Sequence, residues 1–232
     1  MASFSMGGAE FMSHLQPRPF RGVDVALDVR NFSATFAPFP ETGLTGVFEP
    51  RRVRVENDAG EIVSDRPTPG PVTRSLRHWM VWDSLDLLFV AGVILWHSLL
   101  LPLLLCRVGV GADEVTGGKG STDHWERLGV HFPGDVPLPS SRLQLHVDSR
   151  GLVRQVDYSP QAYGGLIRVA QEVAGYESFD GLLFPTRHSL YPCPLAGQPW
   201  RGARLAWLEF DDVRAPQAGT AGPLPEQQRG RG

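Results

Sequence analysis

The stretch from Leu87 to Leu105 holds 19 residues without a single charge, interrupted only by His97, Ser98 and Pro102, and every reading of this chain has to find a place for it. Trp82-Asp83-Ser84-Leu85-Asp86 precedes it. Asp83 or Ser84 can accept hydrogen bonds from the first free amides of a helix, and the acids suit the positive end of its dipole. Pro102 clashes with a preceding helical turn, so the spacing predicts a helix over about 83–101, ~26 Å long at 1.5 Å per residue. An extended Leu103 to Val108 should follow.

Two environments accept a helix that is apolar on every face. One is a bilayer, whose length requirement the run satisfies. The other is the inside of a curved sheet. Pro102 shortens the helix, and no Lys/Arg cluster flanks it. The rest of the chain needs something to cover a sheet, so the buried helix is the favoured expectation and membrane attachment the less favoured one.

Strand signals lie on both sides. Val53-Arg54-Val55-Glu56 and Glu61-Ile62-Val63-Ser64 flank the polar turn Asn57-Asp58-Ala59-Gly60, a β-hairpin pattern. Leu143, Leu145 and Val147 alternate with Gln144, His146 and Asp148, and Ser149-Arg150-Gly151 turns the chain into Leu152 to Tyr158. Trp125 to Phe132, Tyr176 to Phe184, Arg187 to Tyr191 and Ala203 to Val213 add extended runs, and Asp65 to Pro71 reads as a rigid connection to the helix. Eight to ten strands imply a mainly β (α+β) fold: an antiparallel β-barrel or half-barrel, or a sandwich, around one hydrophobic helix. Met1 to Phe11 is unpatterned, so residues 1–19 are read as a disordered or appended segment, 20–214 as one domain, and 215–232, rich in Gly, Pro and Gln, as a disordered tail.

Composition narrows the partners. A net charge of -3 and a pI near 6.2 supply no basic surface for phosphates, so nucleic acid is not an expected partner. Lys119 is the single lysine, a sign of base composition rather than of selected arginines. Cys106 and Cys193 have no metal or disulfide spacing, and Cys106, after a leucine run, is expected to be a buried thiol. No metal and no cofactor is expected. The N-terminus lacks the pattern of a secretory signal, which leads to a cytoplasmic expectation.

Several motifs resemble those of a group of β-rich bacterial proteins, largely actinobacterial. They are Trp82-Asp83-x-Leu85-Asp86; Trp125-x-x-Leu128-x-Val130-x-Phe132-Pro133; Asp148-x-x-Gly151-Leu152-x-Arg154-x-x-Asp157-Tyr158; and Tyr176-x-x-Phe179-Asp180-Gly181-Leu182 with Pro185-Thr186-Arg187 and Tyr191. The likeness spans about 43–213. The strand-turn-strand pattern is also similar to the half-barrel of lipoprotein-carrier (LolA/LppX-like) proteins, which implies a curved sheet enclosing a cavity for acyl chains. Carriers of that kind are exported, and the absence of a signal pattern sets the transport role apart from the fold. Where the helix of the group carries Trp-Asn-Tyr, this chain has Trp96-His97-Ser98.

Site candidates follow from this cup-and-helix picture. His97, Tyr158 and Arg187 are the candidate catalytic or polarising groups, set against bland roles as a core histidine and as strand staples. Phe89, Val93, Trp96, His97, Leu100, Tyr158 and Arg187 are the candidate ligand contacts. His97 and Asp86 share a helix face but stand ~16 Å apart along the axis, too far for a dyad. His131 and His146 occupy the polar phase of their strands and should face water, and His124 with His131 lacks a metal-ligand arrangement. Gly117 to Thr122 departs from a phosphate loop and reads as a flexible hairpin loop. Asp211-Asp212 reads as a solvated strand end, and Ser140-Ser141 has no nucleophile context. The expected function is a cytoplasmic binding or carrier protein, monomer or homodimer, for a lipid or polyketide-like small molecule. The alternatives are a cofactor-independent cyclase or isomerase of natural-product biosynthesis using the same cavity, and a membrane-attached protein.

Overall fold

The computed structural model describes residues 1–16, 20–69, 81–115, 125–136, 138–161, 167–193 and 198–214. The expected loop at 117–122, His124 and the tail from 215 lie outside the described residues.

Two antiparallel meanders form one sheet. The first runs through β1 (Ala2–Gly7), β2 (Phe20–Asp28), β3 (Ser33–Ala37), β4 (Leu44–Glu49), β5 (Arg52–Asn57) and β6 (Ile62–Pro67). The second comprises β7 (Gly111–Glu114), β8 (Glu126–His131), β9 (Arg142–Val147), β10 (Val153–Tyr158), β11 (Val169–Phe179), β12 (Leu182–Pro192) and β13 (Ala206–Val213). The strand order is β6-β5-β4-β3-β2-β1-β13-β12-β11-β10-β9-β8-β7, so the first and last strands join the two halves and the sheet does not close. The fold is a mainly β half-barrel with one main helix.

That helix, α2 (Ser84–Leu104), is the chain's passage from one outer edge strand, β6, to the other, β7. It packs against β4, β5, β6 and β12. Leu88, Ala91, Leu95 and Trp96 are completely buried, so the helix is apolar all round because protein surrounds most of it. Its start is held twice. Asp83 accepts from the amides of Leu85 and Asp86, Asp86 accepts from the amide of Asp83, and Arg66 of β6 bonds both carboxylates. Halfway along, a Cβ on Gly92 would stand 2.4 Å from the Phe48 ring of β4, so only glycine lets helix and sheet approach this closely.

The structure corrects several expectations. Residues 2–7, read as part of a disordered segment, form the central strand β1, paired with β13 and β2. Ala2, Phe4 and Met6 point into the core, where Phe4 meets Phe20, Phe36 and Phe210 at 5.5, 5.9 and 6.3 Å between ring centroids. A short helix, α1 (Ala9–Ser13), follows and buries Phe11. Pro102 lies inside α2 rather than beyond its end. Only two residues of helix follow it, so the lost amide breaks one backbone bond near a terminus where bonds are already incomplete. Leu103 to Val108 therefore begins as helix and continues as turns, and Cys106 is exposed, because this last turn leaves the cup. Strand β6 extends to Pro67, into the supposed connection. Thirteen strands, not eight to ten, are present among the described residues. Tyr176 to Phe184 is not one strand: Asp180 and Gly181, with φ of 50° and 81°, form the tight turn between β11 and β12.

Candidate functional site

The sheet does not cover all of α2. Phe89, Val90, Val93 and Ile94 are only partly buried, and their i, i+1, i+4, i+5 spacing makes them one stripe along the helix. On one flank of the stripe lies a nearly all-apolar cavity of about 100 Å³, walled by Val90, Ile94, Phe11, Tyr158, Val169 and Leu190. On the other flank is a half-open cleft of about 850 Å³, where Phe48, Phe89, Val93 and Leu138 meet the polar and charged groups of Asn31, Glu49, Arg51, Asp135 and Gln161. Phe89, Val93 and Tyr158 thus line one apolar cavity.

One turn further along the same helix face, at about 5.4 Å per turn, polar side chains enter the core around a space whose wall is still mostly apolar. His97 and Ser98 line a small chamber of about 50 Å³ together with Gln171, His188, Val156 and Tyr176. Gln171 organises it. Its Nε2 donates to Ser98 Oγ (3.0 Å) and faces His188 Nδ1 at 3.0 Å, while its Oε1 accepts from the Tyr158 hydroxyl at 3.4 Å. Because an amide nitrogen cannot accept, His188 Nδ1 is the acceptor. Its proton sits on Nε2, which donates to the Pro185 carbonyl at 3.3 Å. Burial holds His188 neutral, its pKa lowered from 6.5 to about 4.

His97 is the exception in this network. It is completely buried and packs edge-on against Tyr158 with ring centroids 4.6 Å apart, yet neither Nδ1 nor Nε2 has a hydrogen-bond partner among the described residues. Burial, helped by the neighbouring His188, lowers its pKa to about 3, so the ring is a neutral donor-acceptor pair. A buried polar atom left unpaired costs about 1–3 kcal/mol. Burial also pushes the Tyr158 hydroxyl above its ordinary pKa of 10.0. No proton-transfer group in the chamber is charged at neutral pH.

The remaining sequence candidates are placed elsewhere. Trp96 and Leu100 are core residues; Trp96 packs on Phe32 at 5.5 Å. Arg187 is exposed on the outer face, beside Glu209 of β13 in the strand register, and is removed from the candidate site. A strand alternates sides at every residue, so one position decides the matter. On β12 Phe184, Thr186, His188 and Leu190 are buried on one phase, and Arg187 lies between two of them on the other. Gln171 is likewise flanked on its phase by the buried Val169 and Val173 of β11. A polar residue inside an apolar phase was the signal that could have found Gln171 and His188.

His131 is half exposed, 3.7 Å from Asp113. His146 sits on the polar phase of β9 but does not face water. It is 6% exposed, with Nε2 3.1 Å from Asp157 Oδ2. Asp157 Oδ2 also accepts from Arg168 Nη2 at 3.1 Å, and Oδ1 accepts from Gln155 Nε2 at 2.7 Å. Asp157 is the neighbour of the inward Tyr158 and therefore faces the opposite side of the sheet. Asp212 pairs with Arg214, and Ser140 Oγ donates to the Arg142 carbonyl. Among the described residues no three His, Cys, Asp or Glu side chains come together in a way that could hold a metal ion.

No protein-family model matches the chain, and no curated protein matches it significantly. The chain is similar to the crystal structure of a LolA superfamily protein from Nitrosomonas europaea, at 9% identity and a TM-score of 0.47, over 91% of this chain and 82% of that one.

Proposed function

We propose that this protein binds a hydrophobic small molecule, of a lipid or polyketide-like kind, in the open side of the half-barrel. One observation carries the reading: the stripe Phe89, Val90, Val93 and Ile94 is a partly exposed face of a mostly buried apolar helix, and cavities lie on both of its flanks. A concave space with an apolar wall along the helix and polar groups at its margin suits such ligands. Apolar surface removed from water in that cleft would contribute roughly 25 cal/mol per Å². The neutral state of His97, His188 and Tyr158 favours recognition over proton-transfer chemistry.

The test is binding of the uncharged fluorescent dye Nile red to protein purified without detergent, paired with native mass spectrometry after exposure to a lipid extract. Wild-type protein is expected to bind the dye saturably and to acquire a defined added mass. Val93→Trp should fill the small cavity and narrow the cleft, weakening dye binding about tenfold or more, with an unchanged far-ultraviolet circular dichroism spectrum. Equal dye binding by the variant would overturn the placement of the ligand on this stripe.

A further inference from the structure

The chamber at His97 carries the reading one step further, to the chemistry of the ligand's polar end. Three observations define it. His97 is completely buried and lines the chamber with both ring nitrogens unpartnered among the described residues. Ser98 Oγ receives one bond from Gln171 and keeps its own proton as a second donor. None of the described residues lining the chamber is Asp, Glu, Lys or Arg, and the Arg154 guanidinium that packs over the ring of the lining Tyr176 is paired with Asp148. Tyr158 forms the wall between this chamber and the apolar cavity: its ring lines the apolar side, its edge contact is with His97, and its hydroxyl reaches Gln171. Val93 and His97, one turn apart on the same helix face, set the apolar and polar parts in line.

We infer that the protein selects an uncharged amphiphile whose terminal hydroxyl enters the chamber at His97, and that it rejects the anion of the same chain length; this rests on the hydrophobic-ligand reading above. A hydroxyl donates one bond and accepts another; it can bond one His97 ring nitrogen, as donor or as acceptor, with Ser98 in the same chamber as its second partner. A carboxylate would be buried with no unpaired cation beside it among the described residues to offset its desolvation, which is far more costly than burying a hydrogen-bonded hydroxyl. The size agrees: at about 10–15 Å³ per water, a chamber of about 50 Å³ admits a hydroxyl-bearing terminus and excludes a sugar or phosphate headgroup.

Displacement of Nile red from lipid-stripped, full-length protein by a straight-chain primary alcohol and by the carboxylate of equal length, at neutral pH, tests the inference. The alcohol is expected to compete about tenfold or more tightly than the carboxylate. His97→Leu should weaken the alcohol about tenfold with dye binding retained, and His97→Gln, which keeps a donor and an acceptor, should restore most of it. Equal competition by alcohol and carboxylate, or an alcohol affinity indifferent to His97→Leu, overturns the selection while leaving hydrophobic binding in place. Absence of dye binding by the wild type removes the hydrophobic-ligand reading and this inference with it.

Discussion

Two polar clusters lie back to back across strand β10, and they differ in one respect. On the outer face, Asp157 is saturated: His146, Arg168 and Gln155 all bond it, and the cluster ties the start of β11 and strands β9 and β10 together. On the inner face, one residue away, Tyr158, Gln171, Ser98 and His188 form an equally ordered network, but His97 beside them has no partner among the described residues. A satisfied buried network explains itself as structure. An incomplete one stores a cost that a bound molecule can relieve, and this difference, rather than the residue types, separates a strand staple from a candidate site.

The sharpest way to break the comparison is to remove one member of each cluster. Arg168→Met leaves the fully buried Asp157 carboxylate without its cation, and stability in urea unfolding should fall by about 2–3 kcal/mol, below the usual range for a buried pair because the guanidinium is partly solvated. His97→Leu should act in the opposite direction. It replaces unpaired polar atoms by an apolar group of similar size, and the ligand-free protein should gain about 1–2 kcal/mol at neutral pH. A loss of that size on His97→Leu would mean that His97 is satisfied, and the contrast between the clusters would disappear.

Acid sharpens the same point. His97 and His188 have folded pKa values of about 3 and about 4 against an ordinary 6.5. Below 6.5 the unfolded chain holds more protons than the folded one, so their contribution is complete above that pH and is lost as pH falls towards about 4. Each ring contributes a slope of about 1.4 kcal/mol per pH unit in that window. Unfolding free energies measured between these limits should show His97→Leu with a slope shallower by one ring's share; parallel curves for variant and wild type would contradict a neutral, buried His97. The smallest effect is expected at the wall. Tyr158→Phe removes a long 3.4 Å bond but leaves the buried Gln171 Oε1 without that donor, and should lower stability by about 1 kcal/mol; a drop several times larger in thermal unfolding would make that hydroxyl a principal structural tie.

Much of the frame was legible in the chain. The capped apolar helix, the hairpin at Asn57 to Gly60 and the β9-β10 hairpin follow from periodicity and turn chemistry, and the structure has all three. The first strand was legible but missed: Ala2, Phe4 and Met6 alternate with Ser3 and Ser5, a period of two hidden by small residues. Asp180-Gly181 is a strong hairpin signal that a run drawn from Tyr176 to Phe184 passes over. Arg187 failed as a candidate for a purely geometric reason, since one step along β12 exchanges the inside for the outside.

Local patterning by itself determined that this chain would make antiparallel strands and one apolar helix, and that His97 would interrupt that helix, because periods of two and of 3.6 residues and the cost of a charge in an apolar run act over a few neighbouring positions. Only the tertiary structure decided that strand β1 closes the gap between two meanders, that β12 brings His188 and β11 brings Gln171 to His97, and that His146 is buried against Asp157. These pairings join residues from 11 to more than 200 positions apart. They depend on register and sheet curvature, which no short window of sequence contains.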